Sequence, residues 1–495
     1  MTGVIEKLTE LINIFTARPA LVTTVAILFI ATFLCLLIER FSKTKRNILA
    51  FVVVLSALLI TEAILLISPA EAFDPTKEYF LFDEFAKFFA SLGIFAALIV
   101  ILISQHYIKG LPAIPVFFAC MTGTSIGLIL LPAATDLITL YVSWELLSVP
   151  LYGLVLYAFN WRRSTEGALK YYVMGATSSA FLGLGLAILI AISGKSNIYM
   201  LKPALEQALE STFNDILLGL AVLLLVIGFS VKMTIVPFHS WAPDTYTGSA
   251  HPVTAYLSGT IKAVRFAALL RIVLMLAPVL RISAQAYFAI LAFLTMTYAN
   301  IVALKQRDIY RMLAYSSISQ VGYILMGLVA GTLYGATAAI FYALVFAMAE
   351  VLVFSITGIV WKHLNVTTID EISGLSSRNP YISFVFALGL LSLLGMPPLA
   401  GFAGKVYLFF AALDANLLWL GLALVVNSGI SAGYYGLLVK RIFIDEPSEK
   451  IAKIRTPAYV SLALGLPTLI LIALGVYPGL AETFARAAAG KALIS

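Results

Sequence analysis

The sequence predicts an all-α polytopic membrane protein with about 14 transmembrane helices. Of its 495 residues, 61% are hydrophobic and only 12% are charged, and the mean hydropathy is +1.00. Soluble domains carry about a quarter charged residues, so this composition excludes a soluble protein. Apolar runs of roughly 18 or more residues recur along nearly the whole chain, and each can cross a hydrocarbon layer of about 30 Å. We therefore expect a single integral membrane domain over residues 1–495.

The predicted spans follow one another at short intervals. Their approximate bounds are 21–38, 47–68, 85–104, 113–131, 137–159, 167–192, 214–239, 251–280, 284–304, 309–330, 334–360, 380–413, 415–440 and 458–481. The connections are too short for a large soluble domain. Residues 1–20 lack the features of a cleavable signal and predict an amphipathic helix instead. Residues 193–213 predict a second amphipathic helix, lying in the membrane interface.

Charged residues in the connections predict the orientation. Basic residues concentrate in alternate connections, at 40–46, 161–163, 305–311 and 440–455, whereas 71–84 and 206–215 are acidic. The positive-inside rule then places the basic connections in the cytoplasm and both termini outside. The net charge of +7 is explained by this topology, because the bases form no stripe or tail for nucleic acid. Cys35 and Cys120 lie far apart in apolar runs, so we expect no metal, cofactor or redox centre in this chain.

Two predicted spans contain proline clusters beside polar residues. The seventh has Pro237 and Pro243 within 232–244, and the twelfth has Pro397 and Pro398 within 395–405. Proline interrupts the helical hydrogen-bond ladder, so both helices are expected to break. The two clusters are five spans apart, an odd number, so the two segments should cross in opposite directions. This predicts an inverted repeat, with units at 113–280 (spans 4–8) and 284–440 (spans 9–13).

Ionisable residues inside otherwise apolar spans are the main indication of function. They are Glu145, Lys170, Lys232, Lys262, Arg265, Glu350 and Lys405. Each costs about 2.5–3.5 kcal/mol at a helix centre unless it meets water or another polar group. Snorkelling to the interface or a structural ion pair is the alternative for any one of them, but Glu145 is too short and too deep to snorkel. As a set they predict a continuous hydrated interior.

This set predicts a path for protons. Burial lowers the pKa of an ammonium group and a nearby carboxylate raises it, so a movable carboxylate can switch a lysine between holding and releasing a proton. Glu145 and Lys232 are the favoured pair, and Lys262 and Lys405 would continue the path. His239, across the Pro237 break, would relay a proton, although a packing histidine is the alternative.

Some carboxylates and one lysine have a second interpretation. Lys170 is only a few residues inside its span, so snorkelling competes with a secondary role in the pathway. Asp136 and Asp308 begin their spans, where a carboxylate favours the positive end of the helix dipole.

Several of these residues belong to recognisable motifs. They are WELLSVPLY at 144–152, EGALKY at 166–171, KMTIVPFHSWAPDTY at 232–246, LAYSSISQVG at 313–322 and LGMPPLAGFAGK at 394–405. Together they resemble the antiporter-like subunits of respiratory complex I, which are related to Mrp-type antiporter subunits. The run from Pro237 to Gly248, with no long C-terminal lateral helix, is similar to the N-type subunit.

The resemblance implies both site and partners. It implies that Glu145 and Lys232 form the pair between spans five and seven, that Lys262 is the central lysine, and that Lys405 is the base of span twelve. It further implies proton translocation in a prokaryotic plasma membrane, beside other membrane and peripheral subunits. Flavin and iron–sulfur clusters would lie in those partners.

Three residues depart from the family pattern. Arg265 stands one helical turn from Lys262, where two like charges should repel. Glu350 is an unusual charge in span eleven, and we expect it to compensate Arg265 directly or through water. His251 precedes Pro252 and has no assigned role.

Other functions remain open from the sequence. The chain is compatible with a subunit of a multisubunit cation/proton antiporter, an arm of a membrane-bound hydrogenase, or an inert scaffold. The electron donor is equally open between NADH, reduced F420 and ferredoxin, and the acceptor between a quinone and methanophenazine. The accompanying subunits would distinguish these cases.

Overall fold

The computed structural model describes residues 19–42, 45–71, 74–157, 161–208 and 211–493. Within these ranges the chain is helical, with connecting turns and no extended strand. The expected all-α polytopic membrane architecture is therefore confirmed. The amphipathic helix predicted for 1–20 falls on residues 1–18, outside the described residues.

The helices are named here in chain order. The first part of the chain forms α1 (Pro19–Phe41), α2 (Arg46–Ile67), α3 (Glu84–Tyr107), α4 (Ile114–Ala133), α5 (Leu137–Leu156), α6 (Trp161–Ser193), α7 (Leu201–Ala208), α8 (Thr212–Met233), α9 (Trp241–Gly248) and α10 (His251–Ala255). The remainder forms α11 (Lys262–Leu304), α12 (Ile309–Ala330), α13 (Leu333–Leu364), α14 (Leu375–Arg378), α15 (Pro380–Leu394), α16 (Ala400–Asp414), α17 (Leu418–Phe443), α18 (Ala458–Val476) and α19 (Gly479–Leu493).

Helices occupy all the predicted spans. Among the described residues, 12 helical segments are long and apolar enough to cross a membrane. The two other predicted segments, 251–280 and 380–413, are helical but interrupted. The last predicted span is shorter than expected, because α18 ends at Val476 and α19 starts after Pro478. A residue before proline is disfavoured in the α conformation, which explains the end of α18.

Both predicted breaks are present. The helix of the seventh span ends at Met233, and Thr234 follows in the left-handed conformation with φ 62°. The helix of the twelfth span ends at Leu394, and Gly395 has φ 88°. Each break leaves terminal carbonyls that need new donors, and these donors help to define the site described below.

Helix α11 joins the predicted eighth and ninth spans without a loop. Its 43 residues would measure about 64 Å if straight. However, Lys262 contacts Ser317 and Asn300 contacts Tyr323, and these partners are only six residues apart on α12. The helix must therefore bend, so that its two ends lie side by side on α12. The chain stays helical through residues 281–283, between the two predicted spans, and Pro278 lies within the same helix.

Helices α12 and α13 form the centre of the bundle and are buried along nearly their whole lengths. A Cβ on Gly327 would meet the Gly335 carbonyl oxygen at 2.6 Å, so glycine is needed where the two helices approach. Thr332 begins α13 by accepting a hydrogen bond from the Gly335 amide at 3.1 Å. This packing places Glu350, midway along α13, in the interior.

The predicted amphipathic segment near 193–213 contains helix α7. Leu201 and Leu205 are buried, whereas Glu206 is exposed, as the helical spacing predicted. Its position in a membrane interface stays a prediction.

Candidate functional site

Lys232 lies at the end of α8 and points into the bundle, with 1% of its surface exposed. Its Nζ donates hydrogen bonds to the Tyr152 hydroxyl at 2.8 Å and to Ser148 Oγ at 3.1 Å. The ammonium also lies 5.0 Å from the Tyr152 ring centroid and 5.5 Å from that of Tyr171. Hydroxyls and aromatic faces therefore solvate this buried cation.

Glu145 lies near Lys232 but binds another residue. Its carboxylate accepts a hydrogen bond from Ser179, while Lys232 donates to Ser148 and Tyr152. Glu145 still interacts electrostatically with Lys232. Glu145 and Lys232 are thus neighbours in this conformation, and their hydrogen-bond partners are hydroxyl groups on α5 and α6. Their role as a functional pair stays a prediction.

Arg265 is fully buried beside the same hydroxyl group. Its Nη2 donates to Ser148 Oγ at 3.1 Å and to the Tyr171 hydroxyl at 3.3 Å. The guanidinium carbon lies 5.3 Å from the Trp144 ring centroid. Its Nε and Nη1 atoms have no hydrogen-bond partner. A buried charged group needs solvation, so this position favours bound water.

Lys262 and Glu350 form the next part of the site. Lys262 Nζ donates to Ser317 Oγ at 2.9 Å and lies 5.2 Å from the Tyr246 ring centroid. Glu350 is 1% exposed, lies beside Ser317 and Ser258, and interacts electrostatically with Lys262. Ser317 on α12 thus brings Glu350 to Lys262. The expectation that Glu350 compensates Arg265, directly or through water, stays a prediction.

A π-helical segment precedes Lys262. Residues Tyr256–Ile261 adopt this wider turn, between α10 and α11. Such insertions change the direction in which the following side chains project, and they are frequent at functional sites. The segment was not predictable from the sequence, because it contains no proline.

Lys405 lies beside the second break. Its Nζ donates to the Leu394 carbonyl at 2.8 Å and to Ser428 Oγ at 3.1 Å, and lies 4.5 Å from the Tyr323 ring centroid. Leu394 is the last residue of α15. A cation at this position satisfies a terminal carbonyl and interacts favourably with the negative end of the helix dipole.

Replacing Gly395 with alanine should disturb this lysine. Gly395 has φ 88°, and an added Cβ would lie 2.8 Å from Cδ of Lys405. We expect Gly395→Ala to destabilise the assembled chain by about 1–2 kcal/mol, measured by thermal unfolding in detergent. Gly429→Ala is the matched control, because no atom lies within 4 Å of its added Cβ. Equal unfolding temperatures for the two variants would contradict this assignment.

Hydroxyl and amide groups connect the Lys262 region to the second break. Ser316, next to the Lys262 partner, contacts the Tyr435 hydroxyl. Gln320 Nε2 donates to Tyr435 at 3.2 Å and to the Leu393 carbonyl at 3.1 Å, while its Oε1 accepts from Tyr342 at 2.5 Å. Leu393 precedes the carbonyl that Lys405 binds. Sequence reasoning missed these residues, although the motif at 313–322 contains Ser316 and Gln320.

His239 lies within the first break and is 8% exposed. Its ring centroid is 4.9 Å from that of Tyr298 and 6.3 Å from that of Tyr315. The Nδ1 atom is buried without a hydrogen-bond partner. A relay role for His239 stays a prediction.

Lys170 lies apart from the buried lysines, with 41% of its side chain exposed. It contacts Asp244 and Glu166, each at 2.6 Å. Asp244 also binds Arg311 at 3.0 Å. Lys170 thus belongs to a partly exposed ion-pair cluster at the break, which agrees with the alternative that it reaches the edge of the membrane.

The structure also explains residues at helix ends. Asp136 accepts a hydrogen bond from the Ile138 amide at 2.8 Å, and Asp308 accepts one from the Arg311 amide at 2.9 Å. Both cap helices, as one interpretation proposed. His251 packs its ring against Tyr310, with centroids 4.3 Å apart, and is a packing residue.

Sequence reasoning missed one buried ion pair. Arg271 Nη2 lies 2.8 Å from Asp83 Oδ2, and the two side chains are 1% and 2% exposed. The guanidinium also lies 4.7 Å from the Phe85 ring centroid. This pair joins α11 to the start of α3. Arg271 lies within an apolar run, a signal that could have identified it.

The fold and the site together define a class of protein. It is a polytopic helical membrane protein that has buried lysines and two broken helices. Residues 134–431 match the family described as NADH:quinone oxidoreductase/Mrp antiporter, TM, and the chain belongs to this family.

The chain is also similar to individual proteins over most of its length. NADH-quinone oxidoreductase subunit N of Heliobacterium modesticaldum is 35% identical over 83% of this chain and 86% of its own. NADH-quinone oxidoreductase subunit N of Desulforamulus reducens is 34% identical over 96% of this chain and 99% of its own. A chain of respiratory complex I from Thermus thermophilus, solved with bound aureothin, has a TM-score of 0.77 and 29% identity, covering 94% of this chain and 99% of its own.

A more distant structure shares the fold. A chain of the Mrp complex from Dietzia has a TM-score of 0.84 and 20% identity, and the match covers 97% of this chain and 98% of its own. This second similarity concerns the fold alone.

Proposed function

We propose that this chain is a proton-translocating membrane subunit of a complex I-type oxidoreductase assembly. It would move protons along Glu145, Lys232, Lys262 and Lys405, with His239 relaying at the first break and Lys170, Arg265 and Glu350 in secondary roles. Supporting this, the most similar proteins include subunits N of NADH-quinone oxidoreductases that align over most of this chain.

The observation that carries the proposal is the environment of the three lysines. Lys232, Lys262 and Lys405 are 1%, 2% and 5% exposed. Each donates to at least one serine hydroxyl, and each faces an aromatic ring. Hydroxyls can accept and donate, so they suit proton transfer better than a fixed salt bridge would.

The chain would act without a redox site of its own. Moving one charge against 100 mV requires about 2.3 kcal/mol, which electron transfer in partner subunits would supply. Flavin and iron–sulfur clusters would reside in those partners. The assembly would lie in a prokaryotic plasma membrane, with both termini of this chain outside and inverted repeats at 113–280 and 284–440.

A second candidate is a subunit of a multisubunit cation/proton antiporter, favoured by the fold shared with the Mrp chain. Purification of the native complex separates the candidates. We expect peripheral redox subunits to copurify in a stable complex, and their identity would define the electron donor. Copurification with small membrane subunits alone would support the antiporter and contradict the proposed function. A nickel–iron partner would instead identify a hydrogenase arm.

A further inference from the structure

Arg265 is a permanent positive charge between two lysines. Arg265 and Lys232 donate to the same Ser148 oxygen, each at 3.1 Å, which places their cationic groups close together. Lys262 lies one turn away on the same face of α11. Arg265 interacts electrostatically with both lysines. A guanidinium stays protonated in proteins, whereas a lysine can lose its proton.

Two carboxylates face these cations. Glu145 on α5 interacts with Lys232, and Glu350 on α13 interacts with Lys262. The other titratable groups around them are tyrosines, which are neutral at physiological pH. They include Tyr141 near Glu145, Tyr152, Tyr171 and Tyr246 near the cations, and Tyr342 and Tyr435 near Glu350. Further along α11, Arg271 is balanced by its own partner, Asp83.

The charges around Arg265 therefore determine how many protons the lysines can hold. A buried region with a net charge is unfavourable, because a low dielectric solvates it poorly. When both carboxylates are ionised, they balance two cations. The guanidinium is always one of them, so only one lysine completes a neutral set.

We propose that Arg265 allows only one of Lys232 and Lys262 to be protonated at a time. The other lysine then stays neutral and can accept the proton. The inference rests on the proposed function. In the transfer step an N–H bond of the charged lysine breaks and an N–H bond forms on the neutral lysine, through hydroxyls or water. The transferred proton leaves the total charge unchanged, so the step needs no counterion movement.

Variants that remove one charge should change the number of protons on the two lysines in opposite directions. In Arg265→Met, two carboxylates remain to be balanced, so both lysines are protonated and neither can accept a proton. In Glu350→Gln, the charges of Arg265 and Glu145 already balance each other, so both lysines lose their protons. In the double variant Glu145 alone remains, and one lysine proton balances it. The double variant should therefore work better than either single variant.

The experiment measures protons translocated per electron pair by the whole complex in sealed vesicles. We expect each single variant to lose at least about half of the wild-type ratio, and the double variant to recover at least about half of that loss. Lys195→Met is the control, because it removes an exposed positive charge in a connection outside the buried site. It should translocate like the wild type. Arg265→Gln replaces Arg265→Met if that variant fails to assemble.

Two results would overturn the inference: a double variant no better than the worse single variant, or wild-type translocation by Arg265→Met. Lys232→Met distinguishes this failure from that of the proposed function. If Lys232→Met lowers translocation while either overturning result is found, only the role of Arg265 is wrong. If Lys232→Met translocates normally, the proposed function itself fails.

Discussion

Lys232→Met is expected to abolish the proton translocation that depends on this chain. Methionine approximates the volume of the lysine stem but has no ammonium to donate to Ser148 and Tyr152. A proton arriving from the Glu145 side would then find no lysine amine to receive it at the end of α8. We expect at least a ten-fold fall in translocation, equivalent to about 1.4 kcal/mol or more in the barrier. The measurement is the initial rate of proton uptake by vesicles containing the complex, normalised to its amount.

A matched variant tests whether the effect belongs to the site. Lys195 is an exposed lysine in a connection, so Lys195→Met removes the same charge far from the buried path. It should translocate at the wild-type rate. Comparable loss in both variants would indicate a general effect of charge, and normal rates in both would exclude Lys232 from the path.

Arg271→Met should cause the largest loss of stability. The variant leaves Asp83 ionised and 2% exposed, without the cation that lies 2.8 Å away. Removing one partner of a buried ion pair costs about 3–5 kcal/mol. We expect a large fall in the unfolding temperature of the chain in detergent and in the amount that assembles.

Two comparisons make this prediction specific. Arg441→Met breaks two ion pairs, with Asp370 and Asp445, but the arginine side chain is 33% exposed, so each pair should contribute less than about 1 kcal/mol. In the double variant Asp83→Asn with Arg271→Met, both charges of this pair are removed, and the asparagine can still cap α3. That double variant should be more stable than Arg271→Met. If Arg271→Met and Arg441→Met unfold at the same temperature, the pair is not structurally important.

The breaks were predictable because proline and glycine act locally. Pro237 and the Gly395 to Pro398 run remove helical hydrogen bonds wherever the chain lies, and the structure has both breaks. The π-helical segment before Lys262 was not predictable, because it contains no proline. The bend in α11 does have a local signal, since Pro278 lies within this helix.

The charged residues were predictable, but most of their partners were not. A lysine in an apolar run is visible in the sequence, since it conflicts with its surroundings. Which group it binds depends on helix rotation and depth. Ser317 brings Glu350 to Lys262, and Ser148 and Tyr152 accept hydrogen bonds from Lys232.

The most direct test is a density map of the native complex in which ordered water is visible. We expect water molecules or direct hydrogen bonds to join Glu145, Lys232 and Arg265. The same chain of hydrogen bonds should continue past Lys262 and Gln320 to Lys405. Waters should fill the space at the unpaired Nε and Nη1 atoms of Arg265. A dry interior in which these side chains are isolated from one another, or directed at lipid, would contradict it.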